Sequence, residues 1–262
     1  GPPASWNSLG KEETMGIRTF QRKAVAFLLS CLCSLFFFSC GLETSYYVDS
    51  PAIVGTSPSH GSADKALHFF CFRTAGDTSN GSFSYLGTEI YYKIYNNVSL
   101  MDNRVTSIES VPDSSRRDSL ISYGYKTLNL GGGAAPSPLI QESDVYAYIR
   151  LADYNTSNSP DYKAVICTSS SAMTRYEGSA TLIGEPRRNI NSGYGFDFGR
   201  DSSNPVPVSS DSDYSASSST VRDSYYIDVY AVTVGEDTAD GTKSYSGAVH
   251  LGSVTVSTSD NF

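Results

Sequence analysis

The sequence is poor in the groups that most binding and catalytic chemistry requires. Lysine and arginine number 19 against 27 acidic residues, which gives a net charge of −8, and only three histidines occur in 262 residues. Nucleic-acid binding needs clustered positive charge, and so does a polybasic contact with anionic lipid. This charge balance therefore argues against both, and we predict no nucleic-acid partner.

Motifs for catalysis and metal binding are missing too. The sequence has no Gly-x-Ser-x-Gly elbow, no His-Glu-x-x-His pair and no phosphate-cradling glycine loop. Two carboxylate pairs lack the ligand spacing of a calcium loop, and solvated turns explain them better. They are Asp211 with Asp213 and Asp237 with Asp240. We predict no metal, no cofactor and no enzymatic activity.

Cysteine is scarce beyond residue 40. Three of the five cysteines lie within residues 31–40, which leaves Cys71 and Cys167 as the candidate disulfide of an exported chain. Both lie in apolar, strand-like runs, where a free thiol behaves as a small hydrophobic side chain. The sequence leaves a bridge and two buried free thiols open as alternatives.

One long apolar run is present, close to the N-terminus. Three basic residues within 18–23 precede residues 24–38, which are apolar apart from serine and cysteine, and Ser39 then precedes Cys40. The run is shorter than the roughly 20 residues of a spanning helix. Its layout is that of a cleaved secretory signal.

The end of this run, Phe37-Phe38-Ser39-Cys40, resembles the lipobox of bacterial lipoproteins, in the relaxed form familiar from spirochaetes. The resemblance implies that Cys40 is fatty-acylated, becomes the new N-terminus and holds the protein at a membrane. The two phenylalanines depart from the usual leucine and small residue. Cleavage at Cys31 and an uncleaved anchor over residues 24–42 are the alternatives.

These features divide the chain into four parts. Residues 1–14 precede Met15 and are interpreted as a non-native or mis-assigned leader. Residues 15–39 are the signal peptide, residues 40–62 are a polar tether, and residues 63–262 form the folded body. Within the body, a large insertion with its own strands is expected at about 97–220.

The body is predicted to be all-β. The 19 tyrosines and 12 phenylalanines of the whole chain, with abundant serine and glycine, favour strands. Apolar or alternating runs predict strands over 66–73, 86–95, 120–130, 145–151, 162–168, 180–183, 225–234 and 248–256. We expect no amphipathic helix of useful length beyond the signal.

The run from Tyr225 to Ala231, with the hairpin that follows it, resembles the F–G hairpin of a fibronectin type III-like or immunoglobulin-like domain, and 86–95 is similar to its C strand. The resemblance implies a β-sandwich in which the Tyr225 ring packs in the core. The tryptophan expected on strand B is absent, so phenylalanines of 69–72 would fill that space.

Aromatic side chains supply the candidate binding residues. Alternation places a tyrosine stripe on the outer face of the predicted sheet, and a glycine-flanked loop over 193–199 presents further aromatic rings. Tyrosine suits contacts with proteins and sugars, although exposed tyrosines on sheets also serve ordinary cross-strand packing. The candidates are Tyr91, Tyr95, Tyr226 and Tyr230 in the stripe, and Tyr194 and Phe196 in the loop.

Together these expectations describe an exported, lipid-anchored envelope protein, at the periplasmic face or the outer surface. It would bind a protein or glycan without catalysing a reaction. A structural or assembly component of the envelope is the first alternative. A glycan hydrolase using paired carboxylates such as Glu89 and Asp228 is the second.

Overall fold

The structure is a computed structural model that describes residues 48–131, 135–153, 163–190, 196–198, 206–218 and 223–257. It is mostly β, with antiparallel sheets, as the sequence predicts. Two α-helices and one 3-10 turn (Lys65–Leu67) complete the described part. The signal peptide, Cys40 and Tyr194 lie outside these residues. None of the helices described could cross a membrane, because none is long and apolar enough.

The first sheet has five strands in the order β1-β2-β6-β7-β8, all antiparallel. Its hydrophobic residues recur at every second position of β2 and β6, so one face is apolar. The strands are β1 (Ala52–Ile53), β2 (Phe70–Arg73), β6 (Tyr146–Arg150), β7 (Val165–Ser169) and β8 (Thr181–Gly184).

The second sheet is built on two long antiparallel strands, β3 (Phe83–Tyr95) and β11 (Ser224–Asp237). On the side away from β3, β11 pairs with both β12 and β13. On the side away from β11, β3 pairs with β4 and β10. These strands are β4 (Lys126–Thr127), β10 (Tyr214–Ser215), β12 (Lys243–Tyr245) and β13 (Val249–Ser257). A separate small sheet joins β5 (Asn129–Leu130) to β9 (Pro186–Arg187).

The main core lies between the facing sides of the two large sheets. Phe70 and Phe72 of β2 pack in one cluster with the inward residues of β3, β11 and β13. The predicted inward set of β11 is confirmed, because Tyr225, Ile227, Val229 and Ala231 all belong to this cluster. Phe70 and Phe72 are both fully buried in this cluster.

Two helices that the sequence did not predict follow β3. Helix α1 (Val98–Glu109) begins at Asn97, whose side chain accepts a hydrogen bond from the Leu100 N–H at 3.0 Å, a typical N-cap. Helix α2 (Asp113–Ser122) begins after Pro112. The expectation of no helix beyond the signal is therefore wrong. The strand predicted over 120–130 is only partly confirmed, because α2 extends to Ser122 and two short strands, Lys126–Thr127 and Asn129–Leu130, follow it. Each helix buries only one or two apolar residues, so the helical period is weak in the sequence.

The helices cover the outer face of the second sheet. Ile108 of α1 and Leu120 of α2 pack in a second cluster with Tyr91, Tyr230 and Val232 of β3 and β11. The central part of both long strands is consequently buried on both faces. Because antiparallel sheets commonly leave one face in water, alternation alone suggested an exposed face here.

Candidate functional site

The predicted tyrosine stripe is not an exposed surface. Tyr91, Tyr95 and Tyr230 are at most 4% exposed beneath the helices, and Tyr226 is half-buried with its ring edge-on to His60. Burial is the first cause that raises the pKa of the Tyr91, Tyr95 and Tyr230 hydroxyls. Ordinary packing, the alternative that the sequence left open, accounts for Tyr91, Tyr95 and Tyr230. A binding role for Tyr226 stays a prediction.

Tyr95 and Tyr230 border a buried polar layer centred on Asp228, through Tyr125 and His250 respectively. Asp228 is fully buried. One of its carboxylate oxygens accepts a 2.5 Å hydrogen bond from the Tyr125 hydroxyl, and the other lies 2.6 Å from His250 Nε2. His250 Nδ1 lies 3.6 Å from Glu109 of α1. Burial alone would lower the pKa of His250, but the hydrogen bond and charge of Asp228 outweigh it and the pKa is raised. This layer fixes α1 to the sheet.

A second buried polar cluster fastens the long segment after β9 to β3. The Arg188 guanidinium, 1% exposed, binds both carboxylate oxygens of Asp213 at 2.8 and 3.0 Å and also reaches Asp211 at 2.7 Å. The Tyr92 hydroxyl donates to Asp213 at 2.6 Å. Asp213 was expected to be a solvated turn residue. That expectation is wrong, because Asp213 is fully buried and its charge is paired with that of Arg188 inside the fold.

The aromatic loop is described only at residues 196–198. Phe198 is buried and meets the Tyr92 ring edge-on at 4.9 Å, so it belongs to the core. Phe196 is half-buried, and its carbonyl accepts a hydrogen bond from the Arg188 N–H. A binding role for Phe196 therefore stays a prediction.

Cys71 and Cys167 are free thiols. Both face Tyr148 of β6, Cys71 from β2 and Cys167 from β7, so one strand separates them. Two strand spacings amount to about 10 Å, beyond the ~7 Å that a disulfide can bridge without backbone movement. The candidate disulfide is therefore not formed. Burial raises the pKa of Cys167 to about 12.

A cleft lies beside β3, at the edge of the strand opposite β11. It has a volume of about 380 Å³ and lies between the end of β4, β5 and the segment 135–139. Its lining combines an apolar wall with a few polar groups, the usual composition of a small-molecule site. The lining residues are Glu89, Ile90, Thr127, Leu128, Asn129, Ala135, Pro136, Ser137, Leu139 and Asn189.

Glu89 is the charged residue of the described lining. Its side chain is 9% exposed, and its Oε2 accepts a 2.5 Å hydrogen bond from the Tyr91 hydroxyl. Arg117 of α2 approaches the same oxygen at 4.0 Å. Oε1 has no hydrogen bond within the described residues. A carboxylate is thus held nearly out of water at the cleft.

Two asparagines supply the neutral polar groups. The Asn189 side-chain N–H donates to the Thr127 carbonyl at 3.1 Å. The Asn129 side-chain oxygen accepts from the Leu130 and Ala135 N–H groups at 3.0 and 3.2 Å. Because one half of each amide is engaged, the Asn189 oxygen and the Asn129 amide nitrogen are left without a hydrogen-bond partner in the described structure.

The cleft was not predicted from the sequence. Glu89, Asn129 and Asn189 are far apart in the chain, and no motif joins them. Glu89 was singled out only with Asp228, but Asp228 pairs with Lys93, four residues along β3 from Glu89, which is about 14 Å. Asp228 is also fully buried, bonded to Tyr125 and His250, and outside the cleft lining, so the two carboxylates do not face a common cleft as a glycosidase pair must. No metal-ligand cluster is found among the described residues.

Comparison with known protein families, with curated proteins and with solved structures gives no match to this chain. Its function must therefore be argued from its own residues.

Proposed function

We propose that this protein is a lipid-anchored component of a bacterial cell envelope whose body binds a polar ligand, such as a glycan, without catalysis. The signal-like segment that ends at Cys40 supports the anchor. The cleft beside Glu89 supports binding, and it is the observation that carries the proposal. The proposal places the body at the periplasmic face or the outer surface.

We further propose that the body is a fibronectin type III-like sandwich with an insertion. Two sheets that share one core, and the core position of Tyr225, support this assignment. The insertion contributes α1 and α2, which close the outer face of the second sheet. It also contributes β4 and β5, which line the cleft. On this view the insertion is what equips a common scaffold with a binding site.

The chemistry of the cleft favours binding over turnover. Hydrolysis of a glycan needs two carboxyl groups at the bond, and the described lining holds only Glu89. Ser137 also lines the cleft, but no histidine or lysine stands among the described lining residues to activate it as a nucleophile. Amide, hydroxyl and carboxylate groups beside an apolar wall are suited to holding a small polar molecule in one orientation.

The anchor is tested by mass spectrometry of the protein extracted from its native membrane. We expect a mature N-terminus at Cys40 that carries fatty acyl groups, and a Cys40→Ser variant that is released from the membrane. An unmodified Cys40 in a chain that still includes residues 24–38 would reject this part of the proposal.

Binding is tested on a glycan array with the full chain in detergent. The test compares Asn189→Leu, which removes a cleft amide, with Asn103→Leu on α1, which lies outside the cleft lining. We expect at least a tenfold loss for the first variant and wild-type binding for the second. Equal binding by wild type and Asn189→Leu would show that the cleft is not the site.

A further inference from the structure

We infer that the cleft selects ligands carrying a protonated amine, as in a hexosamine, and seats the ammonium group on the Glu89 carboxylate. The inference rests on the proposed ligand-binding function and specifies the ligand class. Three features of the site carry it: the burial of Glu89, the position of the nearest cation, and the neutrality of the remaining lining.

The first feature is a carboxylate that is nearly buried yet incompletely satisfied. Only 9% of the Glu89 side chain is exposed, and within the described residues just one of its oxygens accepts a hydrogen bond. A charged group held away from water is costly unless it is paired. A ligand ammonium would supply both the opposite charge and the hydrogen-bond donors that Oε1 lacks.

The second feature is that Arg117, the nearest cation to Glu89 in the described structure, interacts mainly with Tyr91 and Tyr245. Arg117 approaches Glu89 only at 4.0 Å, on the oxygen that Tyr91 already occupies. Its guanidinium lies 3.4 Å from the centre of the Tyr245 ring, and its Nε donates to the Tyr91 hydroxyl at 3.1 Å. Arg117 does not line the cleft. It therefore steadies Tyr91 and leaves Oε1 for a ligand.

The third feature is that the rest of the described lining is uncharged. The uncharged polar residues Thr127, Asn129, Ser137 and Asn189 can exchange hydrogen bonds with hydroxyl groups, and the other lining residues besides Glu89 are apolar. A phosphate, sulfate or carboxylate would find no cation there and would meet the charge of Glu89. The volume of about 380 Å³ lies at the small end of the ~300–1,000 Å³ range of ligand pockets, which suits a single sugar ring.

The test is isothermal titration of the full chain in detergent with glucosamine, glucose and N-acetylglucosamine at pH 6.5. These probes share the ring, but only the first carries a protonated amine. We expect glucosamine to bind at least tenfold more tightly than the other two. We expect Glu89→Gln to remove that preference, since it keeps an acceptor for Tyr91 but loses the charge. Glu236→Gln, on β11 outside the cleft lining, is the matched control and should behave as wild type.

Equal affinity for the three sugars would overturn the inference while leaving a sugar-binding cleft in place. A preference that survives in Glu89→Gln would overturn it as well, because another group would then bind the amine. If the wild-type protein bound none of the three sugars, the inference and the proposed function would both be contradicted. Thermal unfolding of each variant identifies misfolded protein, and a second variant, Glu89→Asp, retains the charge and should retain part of the preference.

Discussion

Replacing Asp213 by Asn should destabilise the fold strongly. The substitution keeps the shape of the side chain but removes the charge that faces Arg188, which is 1% exposed. Asp211 would remain as the only acidic partner of the guanidinium in the described structure, and Tyr92 would lose a charged acceptor. Breaking a buried ion pair by removing one partner costs about 3–5 kcal/mol. At ~2–4 °C per kcal/mol for a body of this size, the melting temperature should fall by roughly 6–20 °C.

The assay is urea unfolding followed by circular dichroism, with the slope of the transition used to check that the unfolded state is unchanged. The control is Glu185→Gln, which breaks the exposed contact between Glu185 and Arg187 and should cost no more than about 1 kcal/mol. The double variant Asp213→Leu with Arg188→Met should be more stable than Asp213→Asn, since it removes the deeply buried guanidinium and leaves only Asp211, whose side chain is 16% exposed, without its cation. A cost below ~1 kcal/mol for Asp213→Asn would refute the reasoning.

Three further predictions concern a strand glycine, a histidine and the two thiols. In Gly235→Ala the added Cβ would overlap the buried Phe83 ring, and the free energy of unfolding in urea should fall by about 3 kcal/mol. In the control Gly178→Ala the Cβ meets no neighbour, and the free energy of unfolding should change by no more than ~0.5 kcal/mol. Equal effects of the two substitutions would contradict this. The folded pKa of His250 is raised, so the stability that it contributes is complete below the unfolded pKa of ~6.5 and is lost as pH rises through the folded pKa. The stability difference between wild type and His250→Gln should therefore shrink between pH 5.5 and 9, and a difference independent of pH would argue against the carboxylate contact. Burial raises the pKa of both thiols, but Cys71 is half-buried and Cys167 is fully buried. A disulfide-exchange reagent should therefore label Cys167 only after unfolding, and rapid labelling of Cys167 in the native protein would count against its burial.

The strands were predictable because their signal is local. Alternation over 86–95 and 225–234 predicted the two longest strands, and the inward residues of β11 were placed correctly. Helices α1 and α2 escaped prediction because their exposed sides are polar and their buried sides hold few apolar residues. For α1 these are Met101 and Ile108, and for α2 Leu120 alone. The cap at Asn97 was the one local signal that could have revealed a helix start.

The binding candidates illustrate what alternation leaves open. It correctly separated Tyr225 from Tyr226 and Tyr230 by face, but it cannot say what covers each face. Helices from a different part of the chain bury Tyr91 and Tyr230, and the cleft forms where β3, the segment after β4 and Asn189 meet. Neither the covering of the tyrosines nor the formation of the cleft can be predicted from a stretch of ten consecutive residues.

The sequence by itself determined the two longest strands, their inward faces and the acidic character of the chain, and it carries the signal-like segment that supports the proposed anchor. Each of these depends on residues that are neighbours along the chain. Only the tertiary structure decided that the tyrosine stripe is covered, that Arg188 meets Asp213, and that Glu89 lies beside Asn129 and Asn189. Those outcomes depend on contacts between distant segments, whose free energy is settled by packing and desolvation rather than by local residue preference.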